Sequence, residues 1–186
     1  MKEKLLIFKD KELDLRETSC LLLLIGLISG VFGFIYETIF YKIDLGYFVK
    51  RGSTFGPIIP IYFFGGILIV LLSYGMRKKP FIIFLVNCLI TGLLELVTGL
   101  FFDKVLNLRL WDYNTEIWNW GNINGYVCFR SYIFFGLASL LLIYAIVPMM
   151  LKAYEKISRK TMSFVTISLM SIFVLDSILH LVFSII

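Results

Sequence analysis

Charge is what this sequence has least of. Asp, Glu, Lys and Arg make up 17% of its 186 residues, against about 25% in a typical soluble domain. With 59% hydrophobic residues and a mean hydropathy of +0.89, that shortfall excludes a soluble globular domain and points to an integral membrane protein. There is a single histidine, His180, and the three cysteines show no C-x-x-C spacing, so neither a zinc site nor a disulfide framework is expected. No metal or other cofactor is called for. The chain contains no H-E-x-x-H motif and no glycine-rich phosphate loop,. It has no basic face interleaved with aromatics either, so nucleic acid is not an expected partner. The opening residues mix acids and bases for too long to form a signal-peptide n-region, and no small-residue cleavage site follows. The first apolar run is therefore expected to be retained.

Hydrophobic runs are what is present. Five of them, at about 19–41, 56–76, 81–102, 128–150 and 161–186, approach or exceed the ~20 residues that carry a helix across a bilayer. The expected fold is an all-α polytopic membrane helix bundle of about five transmembrane helices. Residues 1–18 form a cytoplasmic N-terminal segment and 19–186 a single transmembrane domain. Orientation follows from the basic residues. Twelve Lys and Arg lie in 1–18, 77–80 and 151–160, and six lie at the other ends of the runs. The positive-inside rule then puts the N-terminus in the cytoplasm of a multi-pass cell-membrane protein, with loop 103–127 outside. That loop holds all three tryptophans. Trp111, Tyr113, Trp118, Trp120 and Tyr126 would cap the bundle at the interface, where amphipathic rings settle.

The informative polar groups lie within or beside the runs. A carboxylate at a helix centre costs roughly 2.5–3.5 kcal/mol to insert, so it should face the bundle and have a partner. Glu37 ends a stripe with Ser29 and Gly33 at i, i+4, i+8, where small residues admit a neighbouring helix. Glu95, Gly99 and Asp103 repeat that spacing. Arg51 is the natural counter-charge of Glu37 or Glu95. The second run opens with KRGSTFGPIIPIY, and Pro60 lacks a backbone donor one turn in. Such an entry is expected to leave backbone groups free to bind. Glu37, Arg51, Glu95, Asp103, Asp112 and Arg130 are all expected at one outer level. Two readings stay open for that convergence: ion pairs that only fix helix register, or a ligand, ion or substrate site. Asp176 and His180, at i, i+4, read as a structural pair or subunit contact, with a proton relay as the sharper alternative.

These residues resemble, in order, the motifs of the CmpB-type family of ABC-transporter permeases called type IV, which includes animal multi-span proteins of unknown function. The likeness runs from about Ser29 to Gly136. It begins with the stripe ending in Glu37. KRGSTFGPIIPIY is similar to the segment carried here by Arg51, Gly52, Gly56, Pro57, Pro60, Tyr62 and Gly65. LELVTG follows with Glu95, Thr98 and Gly99, and Asp103 stands where the family usually has Glu. WDY is intact as Trp111, Asp112 and Tyr113. NGYVCFRS matches through Asn124, Gly125, Cys128 and Ser131. Lys50 replaces an Asn, Phe63 replaces a Gly, and the loop between WDY and NG is longer.

The resemblance implies a permease-like subunit of a transport system with a polar site near the outer face. The ligand or ion-pair candidates are Glu37, Arg51, Tyr62, Glu95, Asp103, Trp111, Asp112, Tyr113, Asn124 and Arg130. Gly52, Gly56, Pro57, Pro60, Gly99, Gly125 and Cys128 form the structural motif. Membrane lipids, an ATPase subunit or further copies of the chain are the candidate partners. KEKLLIFKDKELDL and LLKAYEKISRK are the candidate docking segments on the cytoplasmic side, the former also as an interfacial amphipathic helix. The alternative is a membrane enzyme or binding protein acting on an outer-leaflet lipid or head group. There Glu95 or Asp112 would act as general acid or base, and Arg51 and Arg130 would hold a phosphate or carboxylate. No nucleophile arrangement supports catalysis, and Cys128 has no evident histidine neighbour. A non-catalytic accessory subunit of a membrane complex is the third reading.

Overall fold

The computed structural model describes residues 6–8 and 13–185, and among them every long element is a helix. α1 spans Leu15–Leu45. Its start is fixed by a capping box, in which the Asp14 carboxylate accepts from Glu17 N–H and the Glu17 carboxylate from Asp14 N–H, both at 2.8 Å,. It ends at Gly46, which adopts the left-handed conformation,. α2 spans Pro60–Ser73 and tightens into a 3-10 turn at Tyr74–Met76. α3 spans Pro80–Leu106 and is closed by a left-handed Asn107. α4 runs Phe129–Lys156 and contains a π turn at Leu142–Ile146. Pro148, two residues past that turn, has no N–H to return to the carbonyl of Tyr144, which accounts for the widened turn,. α5 spans Arg159–Ile185.

Four of these helices, α1, α3, α4 and α5, are long and apolar enough to cross a membrane. The second expected span is the exception. Helix does not begin at 56 but at Pro60, and Pro60–Met76 is shorter than the others. Residues 51–59 instead run as irregular chain along α1. Several of their backbone groups, expected to be free, are engaged. Ile59 N–H reaches the Gly30 carbonyl of α1 at 3.2 Å. The buried Thr54 hydroxyl meets the carbonyls of Ile58 (2.6 Å) and Gly56 (3.0 Å). The N–H groups of Phe55 and Gly56 donate to Asp176 of α5 at 3.0 and 2.9 Å. Irregular backbone at this depth is tolerated because protein satisfies it. Asp176 thus serves the entry segment, and His180 lies edge-on to Phe55.

α1 packs on α2 and α3 on α4, and α2 joins the two pairs. Lipid gives helices no hydrophobic reason to associate, so close approach and shape decide. Gly33 shows this: the Tyr62 ring sits where a β-carbon would be. At the end of the bundle bearing residues 77–80, Leu21, Ile25, Val70, Ile83, Ile143 and Val147 form a fully buried knot from α1 to α4. α5 is peripheral and touches chiefly α1. It is 11% buried over its apolar stretch, against 56% for α1. Phe63 fills the space beside Gly26 and reaches Phe173 of α5, ring to ring at 4.9 Å.

The expected amphipathic N-terminal helix over 2–15 falls largely on 1–5 and 9–12, outside the described residues. Leu6–Phe8 is a single 3-10 turn whose Phe8 ring packs on Tyr74 at 4.9 Å.

Candidate functional site

The segment between α3 and α4 folds back as a small cap over the bundle. Its own polar residues shape it. The Asp112 carboxylate accepts from the backbone and side chain of Asn114 and from Arg109 (2.9, 2.7 and 3.2 Å). Arg109 also donates to the Asn124 carbonyl at 2.7 Å. Gly125, at φ +78, lies under all three side chains, and a β-carbon there would collide with Arg109, Asp112 and Asn114,. Asn124 is itself left-handed. Trp111 Nε1 donates to the Tyr126 carbonyl at 2.8 Å, and the Tyr126 hydroxyl donates to Asp103 at 2.5 Å. Both rings rest on Gly99. Ile117 N–H donates to Asp44 at 3.1 Å and ties the cap to the end of α1. Trp118 and Trp120 are exposed on the outside of the cap.

Beneath the cap lies a chamber walled by three carboxylates, two guanidiniums and eight aromatic rings. Two acids are paired. Arg51 Nε donates to Glu37 at 3.3 Å, and Arg51 Nη2 donates to the Tyr41 hydroxyl at 3.1 Å. Arg130 donates to Glu116 at 2.6 Å and to the Ile117 carbonyl at 2.9 Å. Glu116 also accepts from the Tyr41 hydroxyl, so the two pairs join through one phenol. Each guanidinium lies over a ring as well, Arg51 over Tyr41 at 3.8 Å and Arg130 over Phe40 at 4.0 Å,.

The third acid, Glu95, is 4% exposed. It accepts from the Ser131 hydroxyl at 2.9 Å and from the Tyr113 hydroxyl. Burial, reinforced by the Glu95 carboxylate, pushes the Tyr113 phenol well above its usual range, so it stays protonated as a donor to Glu95. Ser131 belongs to the start of α4, where Cys128 is the fully buried N-cap.

A second cavity meets the chamber at Ile61, Tyr62, Glu95 and Phe135. It is a half-open apolar groove between α1, α2, α3 and α4. Its few polar groups are turned to their own helices: Ser29 donates to the Ile25 carbonyl (2.8 Å) and Thr91 to that of Asn87 (2.5 Å). Asn87, Thr91 and Glu95 form one buried stripe of α3 at i, i+4, i+8,. Asn87 is bonded to Ser73 of α2 at 2.8 Å.

The expected cluster is therefore divided. Glu37, Arg51, Tyr62, Glu95, Trp111, Tyr113 and Arg130 meet in the chamber, and Arg51 pairs with Glu37 rather than Glu95. Asp103, Asp112 and Asn124 do not line it; they hold the cap together. Gly52, Gly56, Pro57 and Pro60 belong to the entry segment and the start of α2. Sequence reasoning missed Glu116, Tyr41 and Tyr36 in the chamber, and Asn87 and Thr91 along the α3 stripe. The spacing of Asn87 and Thr91 from Glu95 was the available signal for those two.

A family model described as "Putative ABC-transporter type IV" matches residues 24–181. The chain belongs to this family. No curated protein and no solved structure matches it. Its apolar helices and this membership make it a multi-pass membrane protein of the type IV ABC-transporter group. The match spans α1 to α5 and includes the chamber, the groove and the cap.

Proposed function

We propose that the chain is a permease-like, membrane-spanning subunit of a transport system. Its N-terminus is cytoplasmic, and the tryptophan-bearing cap closes a polar site at the extracytoplasmic face. The observation that carries this reading is the position of Glu95, a deeply buried carboxylate on the wall shared by a charged chamber and an apolar groove. The Arg51–Glu37 and Arg130–Glu116 pairs fix the register of α1, the entry segment, the cap and α4. Glu95 has hydroxyl donors and no cation among the described residues, so it is the chamber carboxylate left to meet something else. Buried ionisable groups within spans face interior pathways and mark function.

Coupling to an ATPase subunit has a structural candidate. α4 continues past the expected limit at 150 to Lys156, and the chain turns at 157–158 into α5. In that extension Leu151 and Tyr154 are buried, whereas Lys152 and Lys156 are exposed. The result is an amphipathic helical tip on the basic side. The head-group enzyme reading loses support, because both guanidiniums are already committed to carboxylates and Asp112 lies outside the chamber.

Extraction from the native membrane in a mild detergent tests the proposal by native mass spectrometry and by ATP hydrolysis of the isolated complex. The expected result is a co-purifying ATPase subunit. Glu95→Gln should leave the assembly and its abundance intact while abolishing transport-coupled hydrolysis. Absence of an ATPase subunit, with Glu95→Gln lowering abundance alone, would overturn it in favour of an accessory role.

A further inference from the structure

We infer that the chamber and groove together accept a cationic amphiphile, its ammonium head group at Glu95 and its hydrocarbon tail between α1, α2, α3 and α4. This names a substrate class for the site and rests on the permease reading above.

Charge comes first. The chamber wall carries Glu37, Glu95 and Glu116 against Arg51 and Arg130. Each guanidinium is committed to a carboxylate, at 3.3 and 2.6 Å. One buried carboxyl group, Glu95, remains without a cation, and when ionised there it demands a partner. An anionic head group would instead meet two occupied guanidiniums and a third carboxylate.

Size agrees with that choice. The chamber volume is about 40 Å³, and one water needs roughly 10–15 Å³ of such space. An ammonium group fits; a phosphorylated glycerol does not.

The aromatic walls add a cation-binding surface. Arg51 and Arg130 already cover Tyr41 and Phe40. Among the described residues no Lys or Arg covers Tyr62 or Trp111, which share the wall with Glu95. Faces of this kind attract ammonium groups.

The tail follows from the groove. With Ser29 and Thr91 bonded to their own helices, its walls present hydrocarbon. From Ile61 to Ile69 it follows α2 for eight residues, about 12 Å at 1.5 Å per residue. It is half open, so a hydrocarbon chain has a way in.

The test uses the full chain in dodecyl maltoside, with Trp118→Phe and Trp120→Phe so that Trp111 reports from the chamber wall. Decylammonium should give a saturable change in Trp111 fluorescence, and decyl sulfate should give none. Glu95→Gln should weaken decylammonium binding at least tenfold with its thermal midpoint retained. Ala138→Phe, placed in the groove, should weaken decylammonium while leaving the response to methylammonium unchanged. Since Ala138 lies seven residues along α4 from Ser131, about 10 Å at 1.5 Å per residue, it tests the tail even where Glu95→Gln misfolds. Equal saturation by decyl sulfate, or Ala138→Phe without effect on decylammonium, would overturn the assignment. Undiminished binding in a folded Glu95→Gln protein would do the same. Failure to bind ammonium by a complex that still hydrolyses ATP removes this inference and leaves the permease reading standing. Ammonium binding by a chain with no ATPase subunit does the reverse.

Discussion

The two ends of the bundle treat charge in opposite ways. Under the cap, charged side chains turn inward and find one another: the side chains alone of Arg130 and Glu116 are 12% and 4% exposed and lie 2.6 Å apart. At the other end the knot of α1–α4 is hydrocarbon, and Lys78, Lys79, Lys152 and Lys156 face outward. An exception joins α1 to α5 there, where Arg159 meets Glu17 at 2.5 Å while itself remaining largely exposed. Charge placed outside a membrane bundle directs insertion, because it resists crossing. Charge placed inside must be matched group by group, or must await a ligand or proton. The same residue types therefore carry two kinds of information, separated by burial alone.

The contrast breaks most visibly at the driest pair. Arg130→Ala or Glu116→Ala leaves the other charge buried without its partner, and should cost roughly 3–5 kcal/mol. The double replacement Arg130→Met with Glu116→Leu should recover most of that loss, because no orphan charge remains. Unfolding in detergent, followed by loss of helical signal, measures all three proteins. Single variants as stable as the parent would show that water reaches this pair and that the chamber is not dry.

How much of this was readable from the chain depends on periodicity. Glu37 and Glu95 interrupt apolar runs, so a helix period assigns them a face, and the small-residue stripe at Gly33 does seat a neighbour, Tyr62. Asp103 shares the stripe of Glu95, but eight residues at 1.5 Å lift it about 12 Å higher. There the Tyr126 hydroxyl claims it. A shared face was legible, whereas a shared level was not. Glu116 sits in a loop with no period, among polar neighbours, and nothing in its surroundings signals that it is 7% exposed. The helix of the second run begins later than its apolar content does, for a related reason. Apolar content continues through residues 56–59, but Gly56 and Pro57 keep them out of the helix and let the chain lie along α1.

The Glu37–Arg51 pair is a milder case, with side chains 19% and 22% exposed. Arg51→Ala should cost about 1–3 kcal/mol, between the values for surface and buried pairs. It should also loosen the entry segment, which α5 holds from the other side. Asp176→Ala removes both acceptors of that hold. Hydrogen bonds to a charged group contribute about 1.5–3 kcal/mol each at most, and this site is only partly buried, so the net loss should be near the lower figure. Cysteine labelling at Ser53 measures the loosening: both variants should label faster than the parent. Unchanged rates would mean that Thr54 and Ile59 alone fix the segment.

The smallest effect on stability belongs to the basic end. Lys78 and Lys79 are exposed in the connection between α2 and α3, and the nearby chain is held by other groups, including the Tyr144 hydroxyl on the Arg77 carbonyl at 2.5 Å. Lys78→Gln with Lys79→Gln should change unfolding free energy by less than about 0.5 kcal/mol, as surface changes usually do. Its consequence should appear in orientation instead. If these lysines direct insertion, cysteines at Trp118 and at Ser158 should label from opposite sides of the membrane in the parent. The double variant should then yield a mixed population, still folded. A variant that stays uniformly oriented would shift the topological signal to residues 151–160. One that unfolds would erase the distinction between the two ends, because the outward charges would then be holding the fold as the inward ones do.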